Sequence, residues 1–135
     1  MKRIFCGGAV ALFALLRSGG NALGADRVQP GQWETSMTMG SGKPAVTTHC
    51  ITADEAKLMN GDVATLRRYV EQSTAKHTAG RCVVKNVEIQ ENRTMVTIAC
   101  GKTSVTSTTT YHGDHYESSS SNGTRLLGKR LGACK

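Results

Sequence analysis

His112, Asp114 and His115 fall within one four-residue stretch, His112-Gly113-Asp114-His115. Two imidazoles and a carboxylate on one turn are a donor set for a divalent metal and would suit a metal-dependent hydrolase. Gly113-Asp114 is also ordinary turn chemistry, because glycine reaches positive φ and aspartate hydrogen-bonds nearby backbone. The turn is the preferred reading, and no metal or other cofactor is assigned. His49 and His77 have no partner close in sequence. No serine stands in a Gly-x-Ser-x-Gly elbow, and no nucleophile, base and acid are spaced as a recognisable set. The runs Thr103 to Thr110 and Ser118 to Ser121 are rich in hydroxyls that could hydrogen-bond a sugar. Threonine equally suits a solvated sheet face, and the scarcity of aromatics removes the stacking platforms a sugar site uses. An enzyme is therefore not expected.

The cysteines form a clearer pattern. Cys50, Cys82, Cys100 and Cys134 follow a segment that reads as an export signal. Lys2 and Arg3 make a positive start, Ile4 to Leu16 is apolar, and Ala22-Leu23-Gly24 meets the small-x-small cleavage rule. The apolar run is too short to span a membrane. Residues 1–24 are thus read as a signal peptide and residues 25–135 as one disulfide-bonded, β-rich domain. An even cysteine set behind such a signal implies two disulfides in an oxidising compartment, periplasmic or secreted. Four cysteines allow three pairings. In a hairpin centred near residue 91, Cys82 faces Cys100, which leaves Cys50 for Cys134. The absence of any Cys-x2-Cys pair argues against zinc and against thioredoxin-like exchange.

Charge and composition narrow the partners. The chain has 17 basic and 10 acidic residues, a formal net charge of +7. Lys2, Arg3 and Arg17 belong to the signal and all ten acids lie beyond it, so the remainder carries +4. That modest charge gives nucleic-acid binding no support. Arg125, Lys129, Arg130 and Lys135 form a basic C-terminal stretch that could meet an anionic envelope polymer or lipid head group, although solubilising is its simpler use. Both phenylalanines lie in the signal, so Trp33, Tyr69, Tyr111 and Tyr116 are the aromatics of the domain. A core so thin needs crosslinks.

The elements follow from periodicity and turn chemistry. Gln32 to Met39 alternates, with Trp33, Thr35, Met37 and Met39 on one face, which predicts a half-buried strand. Gly40 to Pro44 is a turn and Ala45 to Cys50 the returning strand. Thr52 and Glu55 have capping-box spacing for a short helix to about Met59. Asp62 can cap a second helix to about Gln72, with Val63, Leu66 and Val70 apolar and Arg67-Arg68 on its wet side. Gln72 to Arg81 reads as a polar loop. Strands are predicted at Cys82 to Gln90, Arg93 to Gly101, Lys102 to Tyr111, His115 to Ser121 and Thr124 to Leu131, with Asn122-Gly123 a strong hairpin turn. Asn92 and Asn122 begin sequons but read better as turn asparagines. The expected fold is mainly β: an antiparallel meander of about seven strands, curled into an open or partial barrel, with a short helical insertion between strands 2 and 3.

Several segments in order resemble one known family: Gln29-Pro30-Gly31-Gln32-Trp33-Glu34, Cys50-Ile51-Thr52-Ala53-Asp54-Glu55-Ala56, Cys82-Val83-Val84, Ile98-Ala99-Cys100, Tyr111-His112-Gly113-Asp114 and Lys129-Arg130-Leu131-Gly132-Ala133-Cys134. Together they resemble the bacterial exported proteins grouped as domain-of-unknown-function family 3617, over about residues 29–134. The resemblance implies an exported, disulfide-bonded domain, and no catalytic residue. The function expected is a non-enzymatic binding or interaction module of the cell envelope, with an apolar groove lined from Trp33, Met37 and Met39. An envelope lipid, glycan or protein would be its partner. The domain is expected to be monomeric, and not membrane-spanning once the signal is removed.

Overall fold

A computed structural model describes residues 26–135. The stretch read as a signal peptide, residues 1–24, lies outside the described residues. Seven strands and two helices follow in the order β1 (Gly31–Met39), β2 (Ala45–Ile51), α1 (Ala53–Met59), α2 (Val63–Thr78), β3 (Cys82–Gln90), β4 (Arg93–Cys100), β5 (Thr103–Tyr111), β6 (His115–Ser120) and β7 (Thr124–Gly132). The fold is mainly β, with both helices between β2 and β3.

All strands belong to one antiparallel sheet of order β2-β1-β7-β6-β5-β4-β3. β3 to β7 run as consecutive hairpins. The β1–β2 hairpin is then added through β1 to β7, so the first and last strands are neighbours inside the sheet. The sheet is open, with β2 and β3 as its edges. Each edge strand is clamped by a disulfide: Cys50 on β2 to Cys134 beyond β7, and Cys82 on β3 to Cys100 on β4. Cys82 and Cys100 are direct partners in the strand register, as the hairpin argument requires.

Local sequence explains the helices. Thr52 and Glu55 close the predicted capping box, Thr52 Oγ1 accepting from Glu55 N–H and Glu55 accepting from Thr52 N–H. Asp62 caps α2 by accepting from Thr65 N–H at 2.9 Å, which holds its carboxyl below the ordinary value. The predicted loop from Gln72 to Arg81 is mostly helix instead. α2 continues to Thr78 because Thr74 turns into the protein and Thr78 Oγ1 donates to Thr74 O. The chain then leaves through Ala79 and Gly80, both at positive φ, with Gly80 N–H returning to Ala75 O.

The core lies between the helices and one face of the sheet. Among the described residues, its buried apolar side chains are Val28, Trp33, Ile51, Ala56, Leu66, Val84 and Val87. So few large buried groups make a thin core. They form two clusters. In one, Val28, Trp33, Ile51 and Ala56 pack with Met59, Tyr111 and Tyr116. In the other, Leu66, Val84 and Val87 pack with Tyr69, Val70, Ile89, Val96 and Ile98. A register shift between Val84 and Asn86 makes the second cluster possible. Simple alternation would send Val84 and Val87 to opposite faces; one extra residue in β3 turns both inward.

The opposite face of the sheet carries neither helix. Its concavity is lined by alternate residues of the central strands and holds the candidate site.

Candidate ligand-binding site

The register sets two parallel rows of side chains across the open face. Arg93 (β4) pairs with Thr110 (β5), Thr110 with Glu117 (β6), Glu117 with Leu127 (β7), and Leu127 with Ser36 (β1). Two residues along, Thr108 pairs with Ser119, Ser119 with Arg125, and Arg125 with Thr38. Both rows line an open concavity of about 660 Å³, closed at one end by the turn glycines Gly40 and Gly123.

Most of the polar side chains in this concavity are unspent. Among the described residues, the side-chain hydroxyls of Ser36, Thr38, Thr108, Thr110 and Ser119 make no hydrogen bond to protein. Arg93 and Arg125 have no carboxylate within 4.0 Å among the described residues. Glu117 leans toward His112 instead, at 3.6 Å. Lys129, two residues beyond Leu127, is already paired with Glu34 at 3.4 Å. Two guanidinium groups and five hydroxyls thus face solvent from one hollow. Guanidinium offers five donors in a planar fork suited to carboxylate or phosphate oxygens.

The apolar groove expected at Trp33, Met37 and Met39 is not where these side chains lead. They share a face, as alternation requires, but it is the helix-bearing one. Trp33 is fully buried; its indole N–H donates to Gln29 O at 2.9 Å, and its ring lies 5.6 Å from that of Tyr116. Met37 and Met39 are 40% and 64% exposed farther along β1. The intervening Ser36 and Thr38 line the hollow. Tyr116 explains part of this division. Its ring lies across Gly128 of β7, where a Cβ would collide with it, and its hydroxyl meets Thr35 Oγ1 of β1 at 2.9 Å.

The His112–His115 turn is tied to its neighbours, His112 facing Glu117 at 3.6 Å and Asp114 O accepting from Arg130 N–H at 2.7 Å. The two imidazoles stack with centroids 4.7 Å apart. Asp114 and His115 Nδ1 share a 2.7 Å hydrogen bond, which holds the Asp114 carboxyl below its ordinary value. No group of three or more His, Cys, Asp or Glu suited to a metal occurs among the described residues. His49 is exposed on β2, and His77 Nδ1 bonds Ser73 O at the end of α2. Of the basic C-terminal stretch, Arg125 lines the hollow and Arg130 reaches across to Pro30 O.

Arg93 carries no signal of its own in the sequence, since it opens a strand 32 positions from Arg125; only the β4–β5–β6–β7 pairing joins them. The legible signal was the alternation of Thr108 and Thr110 with Ser107 and Thr109.

The model of the family described as Protein of unknown function (DUF3617) matches residues 28–134. The chain belongs to this family. The match covers every strand, both helices, and all four paired cysteines. No curated protein and no solved structure matches the chain. No helix among the described residues is long and apolar enough to cross a membrane, and the disulfides fit a non-reducing environment.

Proposed function

We propose that this DUF3617 domain is an exported, non-enzymatic binding module of the bacterial envelope, and that its ligand lies in the hollow of the open sheet face. One observation carries this reading: Arg93, Arg125 and five hydroxyls line the hollow with no partner among the described residues. On the covered face the hydroxyls of Ser107, Thr109, Ser118 and Ser120 are paired with one another; those of the hollow are left for something outside the fold. Export is supported by the Lys2-Arg3 start, the apolar run and the Ala22-Leu23-Gly24 step, together with two disulfides. A binding role is favoured over catalysis because no hydroxyl in the hollow is hydrogen-bonded to a histidine or carboxylate among the described residues, as an activated nucleophile would be. A metal-dependent hydrolase at His112, Asp114 and His115 draws no support from that turn, where Asp114 is spent on His115.

The test is amide chemical-shift mapping on the oxidised domain with a panel of envelope lipids and glycans. Ligand-dependent shifts confined to Thr38, Arg93, Thr108, Thr110 and Arg125 are expected for at least one. Shifts confined to the helices, or none with any member, would reject the hollow as a binding site.

A further inference from the structure

We infer that the ligand of the hollow is an anionic saccharide, extended across the strands with negative groups placed to meet both Arg93 and Arg125. This rests on the binding reading above and goes on to specify the chemical class. Arg93 is on β4 and Arg125 on β7, three strands apart in the sheet. Three inter-strand spacings are about 14 Å, and the two residues also stand in adjacent rows. Charges so separated fit a chain with an acid group toward each end better than one small ion. Between them the floor is made of hydroxyls, from Thr108, Thr110 and Ser119, and these can donate to and accept from sugar hydroxyls. Leu127 is 60% exposed on the same floor. No aromatic among the described residues lines the hollow to stack on a ring, so Leu127 is the apolar surface left for a sugar's C–H face, and the charged and hydroxyl contacts carry the recognition. Glu117 also lines the hollow; beside two guanidiniums it leaves a net charge of +1, and as an acceptor it can take a sugar hydroxyl. A long acyl chain is matched less well, because the lining is mostly hydroxyl and charge.

The experiment uses the oxidised domain at low ionic strength with four probes: tetragalacturonate, the neutral maltotetraose, inorganic phosphate, and phosphatidylglycerol vesicles. Tetragalacturonate should bind and shift the amides of Arg93, Thr110, Leu127 and Arg125, with affinity falling as salt rises. Maltotetraose should bind at least about tenfold more weakly, since each lost charge-assisted contact is worth roughly that factor. Arg93→Gln and Arg125→Gln should each weaken tetragalacturonate by about tenfold or more, and Lys76→Gln, on α2, should leave it unchanged. The melting temperature of each variant, read alongside, confirms that it is folded. Equal binding of maltotetraose would overturn the requirement for an anion while leaving the hollow a binding site. Inorganic phosphate saturating the same amides as tightly as the saccharide would overturn the extended ligand. Binding to the vesicles without binding to tetragalacturonate would replace the saccharide by a lipid surface and overturn the inference. Silence of the hollow toward all four probes would overturn it too, and silence toward the broader envelope panel would reject the underlying reading as well.

Discussion

On the helix-bearing face of the sheet, Ser107 meets Ser120 at 2.7 Å and Thr109 donates to Ser118 at 2.9 Å. On the open face, Thr108 and Thr110 of the same strand have no protein partner among the described residues. These are neighbours in one run of hydroxyls, yet they do opposite work. Toward the core, where Ser118 is buried, an unpaired hydroxyl would lose its water without replacement, so the residues satisfy one another. Toward solvent, Thr106 pairs with Thr97 at 2.9 Å, but Thr108 and Thr110 can be satisfied by water alone. The aromatics divide in the same sense: Trp33, Tyr111 and Tyr116 all belong to the covered face, and the open face carries none of them. One face therefore holds the fold and the other is left to solvent. Mutations on the two faces should differ accordingly in what they disturb.

The largest effect should come from the thinness of the covered core. Replacing Cys50 and Cys134 by alanine opens a link between positions 84 apart and should cost about 4–5 kcal/mol on the chain-entropy model. Urea unfolding followed by circular dichroism reads this directly. An unchanged midpoint would mean that the covered face secures the β2 edge without sulfur. Next in size, Trp33→Ala empties the centre of the first cluster and should cost about 3–5 kcal/mol in the same assay. A loss below 1 kcal/mol would show that Tyr111 and Tyr116 carry that cluster alone.

Gly128→Ala tests the contact through which β6 reaches β1. The added methyl meets the Tyr116 ring, and overpacking of this kind costs about 1–3 kcal/mol. A neutral result would show that the ring is not held there. Alkali probes the same region. Burial raises the phenols of Tyr111 and Tyr69 above their ordinary value of 10.0. A raised folded value means that the stability linked to these groups is intact below about pH 10 and is lost as pH rises through the folded values. Absorbance titration should therefore extend past that of free tyrosine and steepen where unfolding begins; a titration superimposing on free tyrosine would contradict the burial. The smallest effects belong to the open face. Arg125→Gln and Thr110→Val should each change stability by no more than about 0.5 kcal/mol. A loss as large as that of Gly128→Ala would make the open face structural and erase the contrast.

Local chemistry by itself determined the elements. Alternation around Trp33, the Thr52–Glu55 box, the Asp62 cap and the Asn122-Gly123 turn act over a few residues, and each strand begins or ends within two residues of its expected place. The pairing of Cys82 with Cys100 was legible for the same reason, since a hairpin's register is set by its turn. The second half of α2 was not legible. Its residues from Ser73 to Thr78 are mostly weak helix formers, and their helix depends on packing against β3. The insertion in β3 that turns Val84 and Val87 inward likewise has no signature short of the partner strand. That Trp33 anchors the core was legible, as the lone tryptophan of an alternating strand; tertiary structure alone decided that β1 lies against β7 and that Arg93 and Arg125 share a hollow. Such outcomes depend on contacts between residues far apart in the chain, where pairing energy and burial, rather than local conformational preference, select the arrangement.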